Sequence, residues 1–326
     1  MGKVRCLVTG GGGFIGSHLA QKLAELGHEV MVLDINIPDS LRNRASGGIT
    51  YYQGDVTRLS PDFRLACDWC FHLAALADII PSIKEPVKYH QVNVTGTINI
   101  LDHCVNLGVK KLVYASSTSI YGIPKQYPTL ESAPADPRYP YALTKWVAEE
   151  AVMHWGRVYH LPVVALRITT AYGPGMRARG AYGSVMKVFL PQKANNMPYT
   201  VTGDLSQSRD FIFVDDVVSA FVQAAESDVS GEVFNVGSGQ PTTLGRLIEL
   251  LGDENGIVYL PKRPGEPDMT WADISKAKRM LGWGPKVSIE EGVKVMLDHL
   301  TDWKDEKVWT PEEIREATRE WYRYLS

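Results

Sequence analysis

The chain has 326 residues and a mass of 36.2 kDa, with 44% hydrophobic and 22% charged residues. That balance supplies apolar surface for one large core or two interlocked ones, and it excludes a globally disordered chain or a disulfide-stapled mini-protein. A net charge of −3 and a pI near 6.3 give no overall basic field, so neither nucleic acid nor an anionic membrane is an expected partner.

In chain order, short β-branched runs at 4–9, 29–35, 49–53, 69–74, 111–116 and 162–168 predict strands, and helix-length segments separate most of them. Strand-helix alternation predicts a doubly wound α/β fold, a parallel sheet with helices on both faces and strands buried on both sides. Beyond Tyr172 turn signals crowd together, and a smaller second region is expected to begin there. Within it, 210–226 reads as a helix and 232–236 as a sheet strand, so the chain is expected to return to its first domain. The expected division is 1–174 with 210–238 for the first domain, and 175–209 with 239–326 for the second. Thr310, with Pro311 and Glu313 behind it, predicts a capping box opening a terminal amphipathic helix.

The first strand runs directly into Thr9-Gly10-Gly11-Gly12-Gly13-Phe14-Ile15-Gly16. A tight turn, close backbone approach to a pyrophosphate and close helix-sheet packing each require a missing side chain, and Gly10, Gly13 and Gly16 stand where those needs arise. Asp34 ends the second strand, where a carboxylate accepts hydrogen bonds from both ribose hydroxyls of an adenosine. No arginine follows it immediately, the nearest being Arg42 and Arg44, and a carboxylate repels a 2′-phosphate, so NAD is favoured over NADP. Asp55-Val56 reads either as an adenine contact or as a turn former.

Tyr141 and Lys145 lie one helical turn apart on one face. A nearby ammonium favours phenolate over phenol, so Lys145 is expected to tune Tyr141 as a proton acceptor and to hold ribose hydroxyls. Ser117, in the hydroxyl cluster that ends the fifth strand, is expected to share the substrate hydroxyl with Tyr141; clustered Ser and Thr also serve as caps.

The glycine loop, Asp34, His72-Leu73-Ala74-Ala75, the serine cluster, Tyr141/Lys145 and Arg209-Asp210-Phe211, in that order, resemble the extended short-chain dehydrogenase/reductase family, and within it the NAD-dependent nucleotide-sugar epimerases and dehydratases. The resemblance implies a Rossmann-type domain with a smaller, interlaced α/β substrate domain. It implies catalytic roles for Ser117, Tyr141 and Lys145, cofactor contacts from Gly10, Gly13, Phe14, Ile15, Gly16, Asp34, Asp55, Val56, Ala74, Ala75 and Lys145, and a nucleotide diphosphate held by Arg209 and Arg263. Tyr141 would remove the proton from a sugar 4-hydroxyl, giving a transient 4-ketose with NAD retained. Relatives that dehydrate or decarboxylate carry an acid after the active hydroxyl; Thr118 and Ser119 stand there instead, which leaves 4-epimerisation. Thr118 and Thr170 would touch the sugar. Thr170 with Arg177 is similar to uronic-acid enzymes, whereas Ile80 replaces the arginine those enzymes usually show. A UDP-hexose or UDP-hexuronate is therefore the expected substrate, with a GDP-, CDP- or dTDP-sugar or a 4-ketoreductase reaction as the alternatives. A binding or regulatory protein would not need Ser117, Tyr141 and Lys145 together. Relatives pair two such apolar helices, here around 93–107 and 141–155, in a four-helix interface, implying a homodimer.

Four cysteines, Cys6, Cys67, Cys70 and Cys104, fit a reducing compartment better than a disulfide framework. With no apolar run of membrane-spanning length and an opening segment that reads as a strand, the expected location is the cytoplasm. Cys67-Asp68-Trp69-Cys70 lacks a second pair or a nearby histidine and predicts no metal site. His72 and the aromatic residues of the last helix read as packing.

Overall fold

A computed structural model describes residues 2–37, 48–59, 64–177 and 183–326. Arg42 and Arg44 lie outside the described residues.

The strands are β1 Arg5–Thr9, β2 Glu29–Asp34, β3 Ile49–Gln53, β4 Trp69–His72, β5 Lys111–Ser117, β6 Val163–Ile168, β7 Thr170–Tyr172, β8 Tyr199–Thr202, β9 Ser208–Phe213, β10 Glu232–Val236, β11 Pro241–Thr243 and β12 Ile257–Leu260. The helices are α1 Phe14–Glu25, α2 Ile79–Lys84, α3 Pro86–His90, α4 Gly96–Asn106, α5 Pro140–Val158, α6 Val185–Ala194, α7 Val214–Glu226, α8 Leu244–Leu251, α9 Ser275–Leu281, α10 Ile289–Asp298 and α11 Pro311–Leu325.

Seven strands form one parallel sheet in the order β10-β6-β5-β4-β1-β2-β3. Alternate residues feed two cores on its opposite faces. Val8, Val32, Phe71, Val113 and Val164 pack on one, and Leu7, Leu33, Cys70, Leu112 and Val163 on the other. Burial on both sides is why these strands read as continuous apolar runs. Chain order reverses between β1 and β4, so a crevice opens beyond their carboxyl ends, where ligands of such sheets bind.

Strand β10 pairs with β6 at the sheet edge, so 232–236 does rejoin the sheet. The helix expected over 210–226 needs correction, because its first residues belong to β9 and α7 starts only at Val214. Phe211-Ile212-Phe213 is a run of large apolar side chains suited to a buried strand; β9 sits between β7 and β11, and the acids Asp215 and Asp216 occupy the first turn of α7. The expected capping box exists: Thr310 Oγ1 accepts from Glu313 N, and Glu313 Oε2 accepts from Thr310 N. In α11, Trp321 is buried, donates to the Pro264 carbonyl at 2.8 Å and packs its ring 5.1 Å from that of Tyr139. The last helix thus braces both the loop carrying Arg263 and the start of α5.

All four cysteines are buried and unpaired, and the described residues contain no group of three or more His, Cys, Asp and Glu side chains placed to hold a metal. No helix among them is long and apolar enough to cross a membrane.

Candidate active site

A cleft of about 1250 Å³ runs from the glycine loop to the loops of the smaller sheets. Every cofactor, catalytic and substrate residue expected from the sequence lines this one cavity, from Gly10 and Asp34 at one end through Ser117, Tyr141 and Lys145 to Arg209 and Arg263.

At the cofactor end the missing side chains are required by contact. A Cβ on Gly16 would lie 2.2 Å from the Gly10 carbonyl oxygen, and one on Gly10, at φ +72°, 2.6 Å from the Ala74 nitrogen. The first turn of α1 has no side-chain cap, so its amides and the positive end of the helix dipole face the cleft. Asp34 accepts from Gly12 N at 3.0 Å and Asn36 N at 2.9 Å, while burial holds its pKa above the ordinary carboxylate value. Each carboxylate oxygen keeps a second lone pair for a ribose hydroxyl. These features fit a dinucleotide. Asp55 takes the turn-forming role: its Oδ1 accepts from both the backbone and the hydroxyl of Thr57, while Val56 is buried at the wall.

Beyond it, β5 delivers Ser117 and α5 delivers Tyr141 and Lys145. Ser117 Oγ accepts from Ser119 N at 3.2 Å and lies close enough to the Tyr141 phenol to favour its charged form. Burial raises the phenol pKa, the Ser117 hydroxyl opposes that rise, and the Asp78 carboxylate adds to it. The expectation that Lys145 lowers Tyr141 does not match what the ammonium does here. Lys145 Nζ donates to the Ala115 carbonyl at 2.5 Å and sits 4.5 Å from the centre of the Tyr114 ring; burial pushes its own pKa down to about 7, against a pull upward from Glu149.

His72 is buried and bonded through both ring nitrogens, to Thr9 Oγ1 at 2.6 Å and Thr97 Oγ1 at 2.9 Å, and burial lowers its pKa to about 3. It is a neutral strut under the site.

At the far end, Arg209 and Arg263 converge on Glu266, at 4.0 and 2.9 Å. Arg177 meets the buried Glu306 at 3.3 Å, Thr118 donates to the Ile168 carbonyl, and Thr170 lies on β7. Ile80 is buried in the core and brings no polar group to the cleft. Sequence reasoning missed Glu266 and Glu306, which take part in these ion pairs, Asp78 and Lys187, which meet at 3.3 Å on the cleft wall, and Glu149 beneath Lys145. For Glu149 a signal existed, its spacing four residues beyond Lys145; the others have partners set by loop packing.

The model of the NAD dependent epimerase/dehydratase family matches residues 6–237. The chain is 34% identical over 322 residues to the UDP-glucuronate 4-epimerase of Thermodesulfobacterium geofontis, covering 93% of this chain and 96% of that one. The crystal structure of UDP-glucose 4-epimerase with UDP-glucose from Thermotoga maritima superimposes with a TM-score of 0.84 at 33% identity, covering 91% and 99% of the two chains. UDP-glucuronic acid 4-epimerase from Bacillus cereus, in complex with UDP-glucuronic acid and NAD, gives a TM-score of 0.83 at 29% identity with the same coverage. A glycine cradle on an uncapped helix, an acid at the end of the second strand and a Ser-Tyr-Lys set along one cleft accompany similarity over nearly the whole length, and the chain belongs to the NAD-dependent epimerase/dehydratase family.

Proposed function

We propose that the protein is a UDP-sugar 4-epimerase, inverting C4 of a UDP-hexose or UDP-hexuronate through a transient 4-keto sugar with its cofactor retained. The observation that carries this reading is that Ser117, Tyr141 and Lys145 meet midway along a cleft whose two ends suit a dinucleotide and a diphosphate. NAD supplies reversible acceptance of hydride at the sugar carbon. Tyr141 takes the 4-hydroxyl proton and, once the 4-keto sugar has turned over in the cleft and regained hydride on its other face, returns the proton to the same oxygen; the burial that raises its pKa makes the phenolate a strong base for the first step. Ser117 orients the reacting oxygen. Lys145 holds the ribose and the loop end of β5 through Ala115. Arg209 and Arg263, side by side at Glu266 on the far wall of the cleft, would pair with a diphosphate. Thr118 and Ser119 contribute no acid, so dehydration and decarboxylation lack a proton carrier. The division into a dinucleotide domain and an interlaced substrate domain is part of the proposal, as is a homodimer built on α4 and α5.

Incubation with UDP-glucose, UDP-galactose and UDP-glucuronate, followed by NMR, tests the reaction. The expected result is a 4-epimer mixture with no net NADH; Tyr141→Phe abolishes turnover and leaves NAD bound. Turnover that survives in the variant removes Tyr141 from the role of base, and stoichiometric NADH consumption replaces the epimerase with a ketoreductase.

A further inference from the structure

Two phenols stand at the start of α5, and the proposed reaction uses only Tyr141. Tyr139 precedes Pro140, the first residue of the helix, and is extended (φ −148°, ψ 161°), because a following proline disfavours helical geometry. Its side chain makes no cap. Tyr139 lines the same cleft as Tyr141, and its ring packs 5.1 Å from that of Trp321, which is itself fixed by donating to the Pro264 carbonyl.

The charges that bear on the Tyr139 phenol show where it lies. Burial raises its pKa above the ordinary tyrosine value; Glu266 and Tyr141 add to the rise, and Arg209 and Arg263 oppose it. The phenol is thus within electrostatic reach of both the arginine pair at the diphosphate end and the reacting centre, and it stays a neutral donor. Buried tyrosines elsewhere satisfy their hydroxyls internally: Tyr121 donates to Asn235 Oδ1 at 2.7 Å and Tyr199 to the Gly252 carbonyl at 2.8 Å. Tyr139 is only partly buried, and among the described residues its hydroxyl has no hydrogen-bond partner. A braced phenol without an internal acceptor takes one from whatever fills the cleft.

We propose that Tyr139 is a substrate-binding residue whose hydroxyl donates to the sugar-linked phosphate of the nucleotide diphosphate. This rests on the UDP-sugar reading above. Of the two phosphates, the sugar-linked one lies nearer the reacting carbon, as a phenol that feels both Tyr141 and the arginines requires. A phosphate oxygen only accepts hydrogen bonds, which suits a neutral donor, whereas the sugar hydroxyls have Ser117, Thr118 and Thr170 along the same wall.

Titration of wild type and Tyr139→Phe with UDP, UMP, UDP-glucose and NAD tests the contact. The substitution removes one oxygen that has no internal partner and keeps the ring against Trp321, so the fold is retained. The expected result is a loss of about tenfold or more in affinity for UDP and UDP-glucose alike, with UMP, which lacks the second phosphate, and NAD bound as by the wild type. Equal UDP affinity in the two proteins overturns the proposal, and a loss confined to UDP-glucose does so by moving the hydroxyl to the sugar. A loss that extends to UMP or NAD also overturns it, since the effect would then not belong to the second phosphate. The epimerase reading fails separately: a wild type that binds UDP but leaves UDP-glucose unepimerised loses the reaction and keeps the phosphate contact, and one that binds neither UDP nor UDP-glucose loses both.

Discussion

Glu149 and Arg167 join α5 to β6 in a buried ion pair, with Arg167 Nε 3.1 and 3.0 Å from the two carboxylate oxygens and Nη2 2.5 Å from one of them. Ser116 donates its hydroxyl to the same carboxylate, and Arg167 Nη1 donates to the Tyr121 hydroxyl and the Glu131 carbonyl. The pair fixes the helix bearing Tyr141 and Lys145 against the strand end bearing Ser117. Removing one partner leaves an uncompensated buried charge, so Glu149→Gln and Arg167→Met are each expected to lose about 3–5 kcal/mol of stability in urea unfolding. Losses below about 1 kcal/mol, the range of an exposed pair, would show that water reaches the site.

Lys145 makes stability depend on pH with a definite sign. Its folded pKa is about 7, against 10.5 for the ordinary side chain, so between those values the unfolded chain carries the extra proton. Stability contributed at this position therefore rises with pH across that window, and the burial penalty is felt in full below it. Wild type should gain on Lys145→Met as unfolding is measured from pH 7 to pH 10; a constant difference between the two would place the ammonium in contact with water.

If Tyr141 is the base of the proposed reaction, with Ser117 beside it, the two should set the pH dependence of turnover. Burial raises the phenol pKa and the Ser117 hydroxyl lowers it, so kcat/KM for the epimerisation is expected to rise with pH through the neutral range. Ser117→Ala should move that rising limb to higher pH as well as slow the reaction. A limb that stays in place would mean that the hydroxyl does not reach the phenol during catalysis.

The glycine loop has no slack. Gly16→Ala puts a methyl group 2.2 Å from the Gly10 carbonyl oxygen, a contact with backbone that no rotamer relieves. The expected cost is about 1–3 kcal/mol of stability together with loss of NAD binding, read by thermal unfolding with and without NAD. A variant that NAD stabilises as much as it does the wild type would remove the loop from the cofactor site.

The proposed homodimer uses α4 and α5, whose inner faces are buried and whose outer face includes Leu143 at 46% exposure. Small-angle scattering at micromolar concentration should return twice the chain mass, and Leu143→Glu should lower it. A single-chain mass for the wild type would dismiss the interface.

Much of the site was readable in the chain because its geometry is local. The turn from β1 into α1 sets the glycine cradle, and one turn of α5 puts Tyr141 and Lys145 on a common face. The extent of β9 was not readable, since a strand joined directly to a helix gives one apolar stretch whose division depends on the neighbours β7 and β11. The orientation of Lys145 was not readable either, because the Ala115 carbonyl that receives it belongs to another element.

Residue order by itself determined the doubly wound sheet, the glycine turn from β1 into α1, the acid at the end of β2 and the common face of Tyr141 and Lys145, since periodicity, missing side chains and helical spacing act over a few residues. Only the tertiary structure decided which charges meet. Asp78 finds Lys187 across 109 positions and Arg177 finds Glu306 across 129, because electrostatic pairing depends on distance in space and on burial, and neither is written in the spacing of the chain.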